Sequence, residues 1–133
     1  MTFDPYRDYP LGSRRPDLVT TPGGLRLDEL TLHGDRVQSS ELRATPETLR
    51  LQAEVADAAG RLPLAENLRR AAELAPLADE TILEIYTALR PRRSSSAELE
   101  AWAERLDALG APLNAEFVRD ALRVYATRGL LAL

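Results

Sequence analysis

From Thr45 onward the apolar positions of this chain recur at helical spacing, and before it they do not. Thr45-Pro46-Glu47 supplies an N-cap, a proline suited to the first helical position and an acid at the positive helix end. Leu51, Val55, Ala58 and Leu62 then fall on one helix face, with Gly60 as a break. Pro63 restarts the chain, and Leu64, Leu68, Ala71 and Ala75 form the next stripe before Pro76. Asp79 reads as the cap of a helix carrying Ile82, Ile85, Tyr86 and Leu89, which stops where Pro91 disfavours helix in the residue before it. Ser95 and Glu98 have capping-box spacing ahead of Leu99, Trp102, Leu106 and Leu109, with Gly110 closing that helix. Asn114 reads as the cap of a last helix with Phe117, Val118, Ala121, Leu122 and Tyr125 inward, ended by Gly129. The pattern predicts an all-α fold, a compact bundle of about five short helices over residues 45–133.

Residues 1–44 differ. Pro5, Pro10, Gly12, Pro16, Pro22, Gly23, Gly24 and Gly34 interrupt every candidate helix. The reading is an irregular N-terminal arm, with a possible short hairpin or extended piece around Thr21-Pro22-Gly23-Gly24. An arm of this length inside a compact domain is uncommon, so it is expected either to move or to lie against another surface. No internal repeat or low-complexity segment stands out.

Composition sharpens this picture. At 133 residues the chain has the size of one domain. Aromatics make up 5%, so the core must come mainly from Leu, Ala, Val and Ile. A net charge of −4 and a pI near 5.1 argue against a general nucleic-acid binder. The 17 basic residues are all arginine, a side chain suited to bidentate carboxylate contacts at subunit interfaces. Without cysteine there is no disulfide framework, thiolate metal site or cysteine nucleophile. The opening MTFDPYRDYP lacks the apolar stretch of a secretory signal. No apolar run approaches the roughly 18–20 residues that span a bilayer. The expectation is a cytoplasmic chain with neither nucleic acid nor membrane as partner.

Candidate chemistry is sparse. His33 is the single histidine, placed in the irregular arm with no nucleophile motif around it, and reads as an exposed loop residue. Glu80 with Glu84, and Glu100 with Glu104, have the i, i+4 spacing that can hold a divalent ion, although such pairs more often face solvent. The distinctive stretch is Arg90-Pro91-Arg92-Arg93-Ser94-Ser95-Ser96. Its arginines beside the free amides of a helix start can hold an anion. Equally, the proline stops one helix, the serines cap the next, and the arginines pair with Glu73, Glu98 or a neighbouring subunit. On physical grounds the stretch reads as a joint.

The run NLRRAAELAPLADETILEIYTALRPRRSSSAELEAWAERL (67–106) closely resembles the small subunit of adenosylcobalamin-dependent diol and glycerol dehydratases. YPL (9–11), TPGG (21–24), LDELTL (27–32), TLRLQAEVA (48–56) and NAEFVRDALRVYATRGLL (114–131) match in the same order, and ALRPRRSS (88–95) is the most specific piece. The resemblance implies a lyase complex of large, medium and small subunits that converts 1,2-propanediol or glycerol to an aldehyde and water. It implies that adenosylcobalamin lies between the large and medium subunits, and that the small subunit clasps the large one without supplying a catalytic, cofactor-binding or metal-binding residue. The residues expected at the subunit contact are Tyr9, Pro10 and Leu11 in the arm and Arg90, Arg92 and Arg93 in the joint. Only eight residues precede Tyr9, too few for the amphipathic extension that directs some relatives into a protein-shelled microcompartment. Two alternatives stand beside this one. The first is a free-standing helical adaptor, and the second an independent enzyme that binds an anion at the arginine joint.

Overall fold

The computed structural model describes residues 2–32 and 43–133. His33 lies outside those residues. Among the described residues the fold is all-α: α1 (Leu11–Arg14), a 3-10 turn (Pro16–Leu18), α2 (Leu27–Leu32), α3 (Pro46–Ala58), α4 (Leu62–Leu74), α5 (Asp79–Ala88), α6 (Ser96–Ala108) and α7 (Pro112–Arg128). They divide into two compact units, Met1–Ala75 and Pro76–Leu133.

In the first unit α3 and α4 form an antiparallel hairpin. Thr45 caps α3 as expected, its hydroxyl accepting from the Thr48 amide at 3.2 Å. The turn runs through Gly60, whose φ of +75° needs the left-handed freedom of glycine. Helix α4 then begins at Leu62, one residue before the proline expected to restart it. Pro63 falls in the first turn, where its missing N–H costs nothing. Ala53 and Ala65 face each other's helices with no exposure at all, and small side chains let two helices pack closely.

The N-terminal segment is more ordered than an irregular arm. Asp4 Oδ1 accepts from the Tyr6 and Arg7 amides at 2.9 and 3.2 Å, the Asp8 amide donates to the Asp4 carbonyl at 2.8 Å, and the Asp4 amide donates back to Asp8 Oδ2 at 2.9 Å. This reciprocal lock sets up the short helix α1. Around Thr21-Pro22-Gly23-Gly24 the chain does make the small hairpin turn. Thr20 and Arg26 form an isolated antiparallel bridge, the Thr21 amide donates to the Leu25 carbonyl, and the buried Thr21 hydroxyl accepts from the Leu25 amide. No strand grows from it among the described residues, because α2 starts at once.

The second unit repeats the hairpin idea with α6 and α7. Ser95 accepts from the Glu98 amide at 3.2 Å, which fulfils the serine half of the capping box. Gly110 (φ +79°) makes the turn, and Ala103 and Ala115 meet with no exposure. Leu99, Leu106 and Val118 are the largest side chains fully withdrawn from solvent. Two caps differ from expectation. Asp79 is the first helical residue of α5, and the cap position belongs to Ala78. Asn114 lies inside α7 and is buried, since Ala111 precedes a helix that proline 112 opens. In both cases a helix-compatible residue upstream lets the helix start earlier.

Five expected core residues also face outward: Leu62 (57% exposed), Leu64 (43%), Tyr86 (64%), Leu109 (44%) and Phe117 (47%). With alanines in the seam of each hairpin, the bulky side chains are left on the flanks.

Two predictions follow from this local architecture. Gly110→Ala finds open space for its Cβ yet keeps a left-handed backbone, so it should destabilise the chain by about 1–2 kcal/mol, read as a lower urea midpoint at constant m-value. The Asp8 carboxyl is held down to about 2, from an ordinary 3.8, first by the Arg7 guanidinium and then by its backbone bond to Asp4. Its contribution is therefore complete above pH about 4 and is lost as the pH falls through about 2. The NMR amide signal of Asp4, which donates to the Asp8 carboxylate, should keep its folded position to near pH 2. In Asp8→Asn it should sit at a disordered position already at pH 7.

Candidate functional site

The Arg90–Ser96 stretch is a joint with a defined backbone. Helix α5 ends at Ala88, and the buried Ser94 hydroxyl donates to the Ala88 carbonyl at 2.8 Å. The C-terminal tail returns to pair with it: the Arg92 amide donates to the Leu130 carbonyl at 2.7 Å, and the Ala132 amide to the Ser94 carbonyl at 2.9 Å. The Tyr125 hydroxyl closes the arrangement by donating to the Leu89 carbonyl. So the GLLAL tail serves the joint, and the buried backbone polar groups of an irregular connection find partners within the chain.

Arg92 is held at φ +63°, alone in the left-handed region among the non-glycine residues described. A β-carbon there costs about 1–2 kcal/mol, so the tail pairing and the Ser94 anchor must over-determine it. The consequence is geometric. Arg90, Arg92 and Arg93 all stand exposed at one corner, and none shows an ion pair to an acid of this chain among the described residues. Glu98, one of their expected partners, forms no ion pair with them among the described residues. Arg93 lines a shallow, open depression with Leu83, Thr87, Ser94, Glu98 and Trp102.

Several other arginines pair with this chain's own acids. Arg69 bonds Asp57 across the first hairpin, and Arg119 reaches both Asp107 (3.0 Å) and Glu100 (3.1 Å) across the second. Those two carboxylates hold the Arg119 guanidinium more firmly protonated than usual. Arg105 lies 4.8 Å from the Trp102 ring centre and 3.8 Å from Glu84. Thus Glu84 and Glu100, each half of an expected carboxylate pair, face arginines. No group of three or more His, Asp or Glu side chains is arranged to hold a metal among the described residues.

The arm residues separate. Leu11 is buried, whereas Tyr9 (63% exposed) and Pro10 stand at the rim of a groove of about 750 Å³ between the N-terminal segment and the α3–α4 hairpin. Its walls are mainly apolar, from Leu11, Val55, Ala56, Leu64 and Leu68, with one guanidinium (Arg61) and one carboxamide (Gln52). A corrinoid carries a ring of peripheral amides, and this lining does not fit it. Sequence reasoning passed over Asp4 and Asp8, which order the arm, and read the apolar end 129–133 as docking to a partner or covering the core, whereas Leu130 and Ala132 pair with the joint. The Asp-x-x-x-Asp spacing beside a proline was the available signal for the first pair, while tail pairing has no local signature.

Both units expose large apolar side chains. In the second they include Leu83 and Tyr86 on α5 and Leu113, Phe117 and Val124 on α7. No described helix is long and apolar enough to cross a membrane.

Comparison with known proteins gives these surfaces a context. The family described as dehydratase small subunit matches residues 5–132. The propanediol dehydratase small subunit of Citrobacter freundii is 48% identical over 125 residues, covering 91% of this chain and 73% of the relative. Its counterpart from Salmonella typhimurium is 47% identical over 125 residues, covering 91% and 72%. A match from near the first residue to near the last, over both hairpins and the arginine joint, leaves one assignment: the chain belongs to the dehydratase small-subunit family.

Proposed function

We propose that this chain is the small, structural subunit of an adenosylcobalamin-dependent diol dehydratase acting on 1,2-propanediol or a similar vicinal diol such as glycerol. The observation that carries the reading is the relatives' shared name over nearly the whole chain, and the surface chemistry agrees with it. Bulky apolar side chains left outside both hairpins suit a surface that another subunit covers. The cofactor belongs, in this reading, with the large and medium subunits, and this chain takes no catalytic step.

Its part is to clasp the large subunit. Arg90, Arg92 and Arg93 form one contact, offering unpaired guanidiniums to carboxylates, and Tyr9 and Pro10 form another, with Leu11 anchoring them from within. The strained φ of Arg92 supports this assignment, since a costly backbone at an exposed arginine implies that its direction matters. The complex is expected in the cytoplasm.

Co-expression with the large and medium dehydratase subunits of its host tests the reading. Light scattering should give a stoichiometric three-component assembly that loses mass or solubility when this chain is omitted. A chain that remains alone and well folded beside an intact two-component complex would refute it. Within the assembly, Arg92→Glu with Arg93→Glu should weaken capture by the large subunit about tenfold or more in a titration. Arg92→Gly should separate the two roles of that residue. It should stabilise the isolated chain by about 1 kcal/mol, seen in its urea midpoint, and still weaken capture.

A further inference from the structure

The two hairpins correspond position by position at a constant offset of 50 residues, an internal repeat that inspection of the sequence overlooked. Hydroxyl caps lie at Thr45 and Ser95, each accepting from the amide three residues on at 3.2 Å. Left-handed glycines lie at 60 and 110, and the fully buried alanines at 53 and 65 recur at 103 and 115. The Asp57–Arg69 bridge recurs as Asp107–Arg119. Even the turn bonds match: the Arg61 amide donates to the Ala56 carbonyl at 2.8 Å, and the Ala111 amide to the Leu106 carbonyl at 2.9 Å. Residues 45–75 and 95–125 align without a gap, and ten positions are identical. Helical periodicity alone reproduces apolar spacing. It does not reproduce the cap, the turn, the seam and the ion pair in one register.

The match in the core is not complete: buried Ala111 stands where Arg61 is exposed, and buried Val118 where Leu68 is half-buried. The second hairpin also has Leu106, fully buried, where the first has Ala56. Ala56 lines the 750 Å³ groove, and Leu11 of the N-terminal segment, itself 6% exposed, lines the same groove. We propose that the chain is built from two copies of one hairpin module, and that Ala56 turned the first copy into a receptor for the chain's own N-terminal segment. The second copy fills its own turn-proximal space with Leu106. The first leaves that space open, and Leu11 enters from outside. The Asp4–Asp8 lock presents Leu11 to the groove and fits the rest of the segment to its rim, so the segment is a strap held by one apolar anchor.

The inference does not depend on the dehydratase reading and is tested on the full chain. Ala56→Leu gives the first module the residue of the second. Helix content by circular dichroism should be unchanged, because the module already accepts leucine there in its other copy. Trypsin should then cut after Arg7 and Arg14 about tenfold faster or more, mapped by mass spectrometry, because the strap has lost its seat. Leu11→Ala should free the same two sites with the hairpin untouched. Unchanged cleavage in either variant would overturn the receptor role. Loss of helix content in Ala56→Leu would overturn the equivalence of the modules, and Leu11→Ala would still decide whether the strap is anchored in the groove.

Discussion

The close approach of two alanine-faced helices, repeated in each unit, is the constraint on which the rest of the structure depends. Ala53 against α4 and Ala65 against α3, like Ala103 and Ala115 in the second hairpin, leave no room in the seam for a longer side chain. A left-handed glycine turn brings the helices back at that short distance. With methyl groups in the seam, Leu62, Tyr86 and Phe117 stand on the flanks, while Leu99, Leu106 and Val118 fill the core of the second hairpin.

Charge plays a different part. The Asp57–Arg69 and Asp107–Arg119 bridges are roughly one-third to two-fifths exposed, so each contributes about 0–1 kcal/mol. Their value lies in register, since each ties one helix to its neighbour beside the turn. At the joint the logic reverses. Tail pairing and a buried serine hydroxyl fix the backbone, and the arginines carried on it are left without acids of their own chain. A stable backbone with exposed charge on top is what the proposed contact at the joint requires.

The N-terminal segment and the tail show how a small chain orders irregular pieces. Neither builds a helix long enough to bury its own face. Each instead adds backbone hydrogen bonds: the segment through the Asp4–Asp8 exchange, the tail through Arg92 and Ser94. Both are then held against an element that already folds, the groove of the first hairpin and the joint after α5.

By itself the sequence determined the five long helices from Pro46 onward and where their turns fall, but not the short α1 and α2 of the N-terminal segment. Caps, prolines and glycines act on the few residues around them, which is why Thr45, Ser95, Gly60 and Gly110 were legible one by one. The ordered set of matches also made the family legible, because it needs residue identity and order alone. Helix faces were legible only in part. Spacing places Leu62, Tyr86 and Phe117 on an apolar stripe but does not say which neighbour the helix meets, and alanines took the seam. The tertiary structure alone decided that the arm is locked by Asp8, that the tail holds the joint, and that Leu11 lies in a groove at Ala56. Those contacts join residues tens of positions apart, or depend on the volume left by a missing side chain, and no local pattern records either.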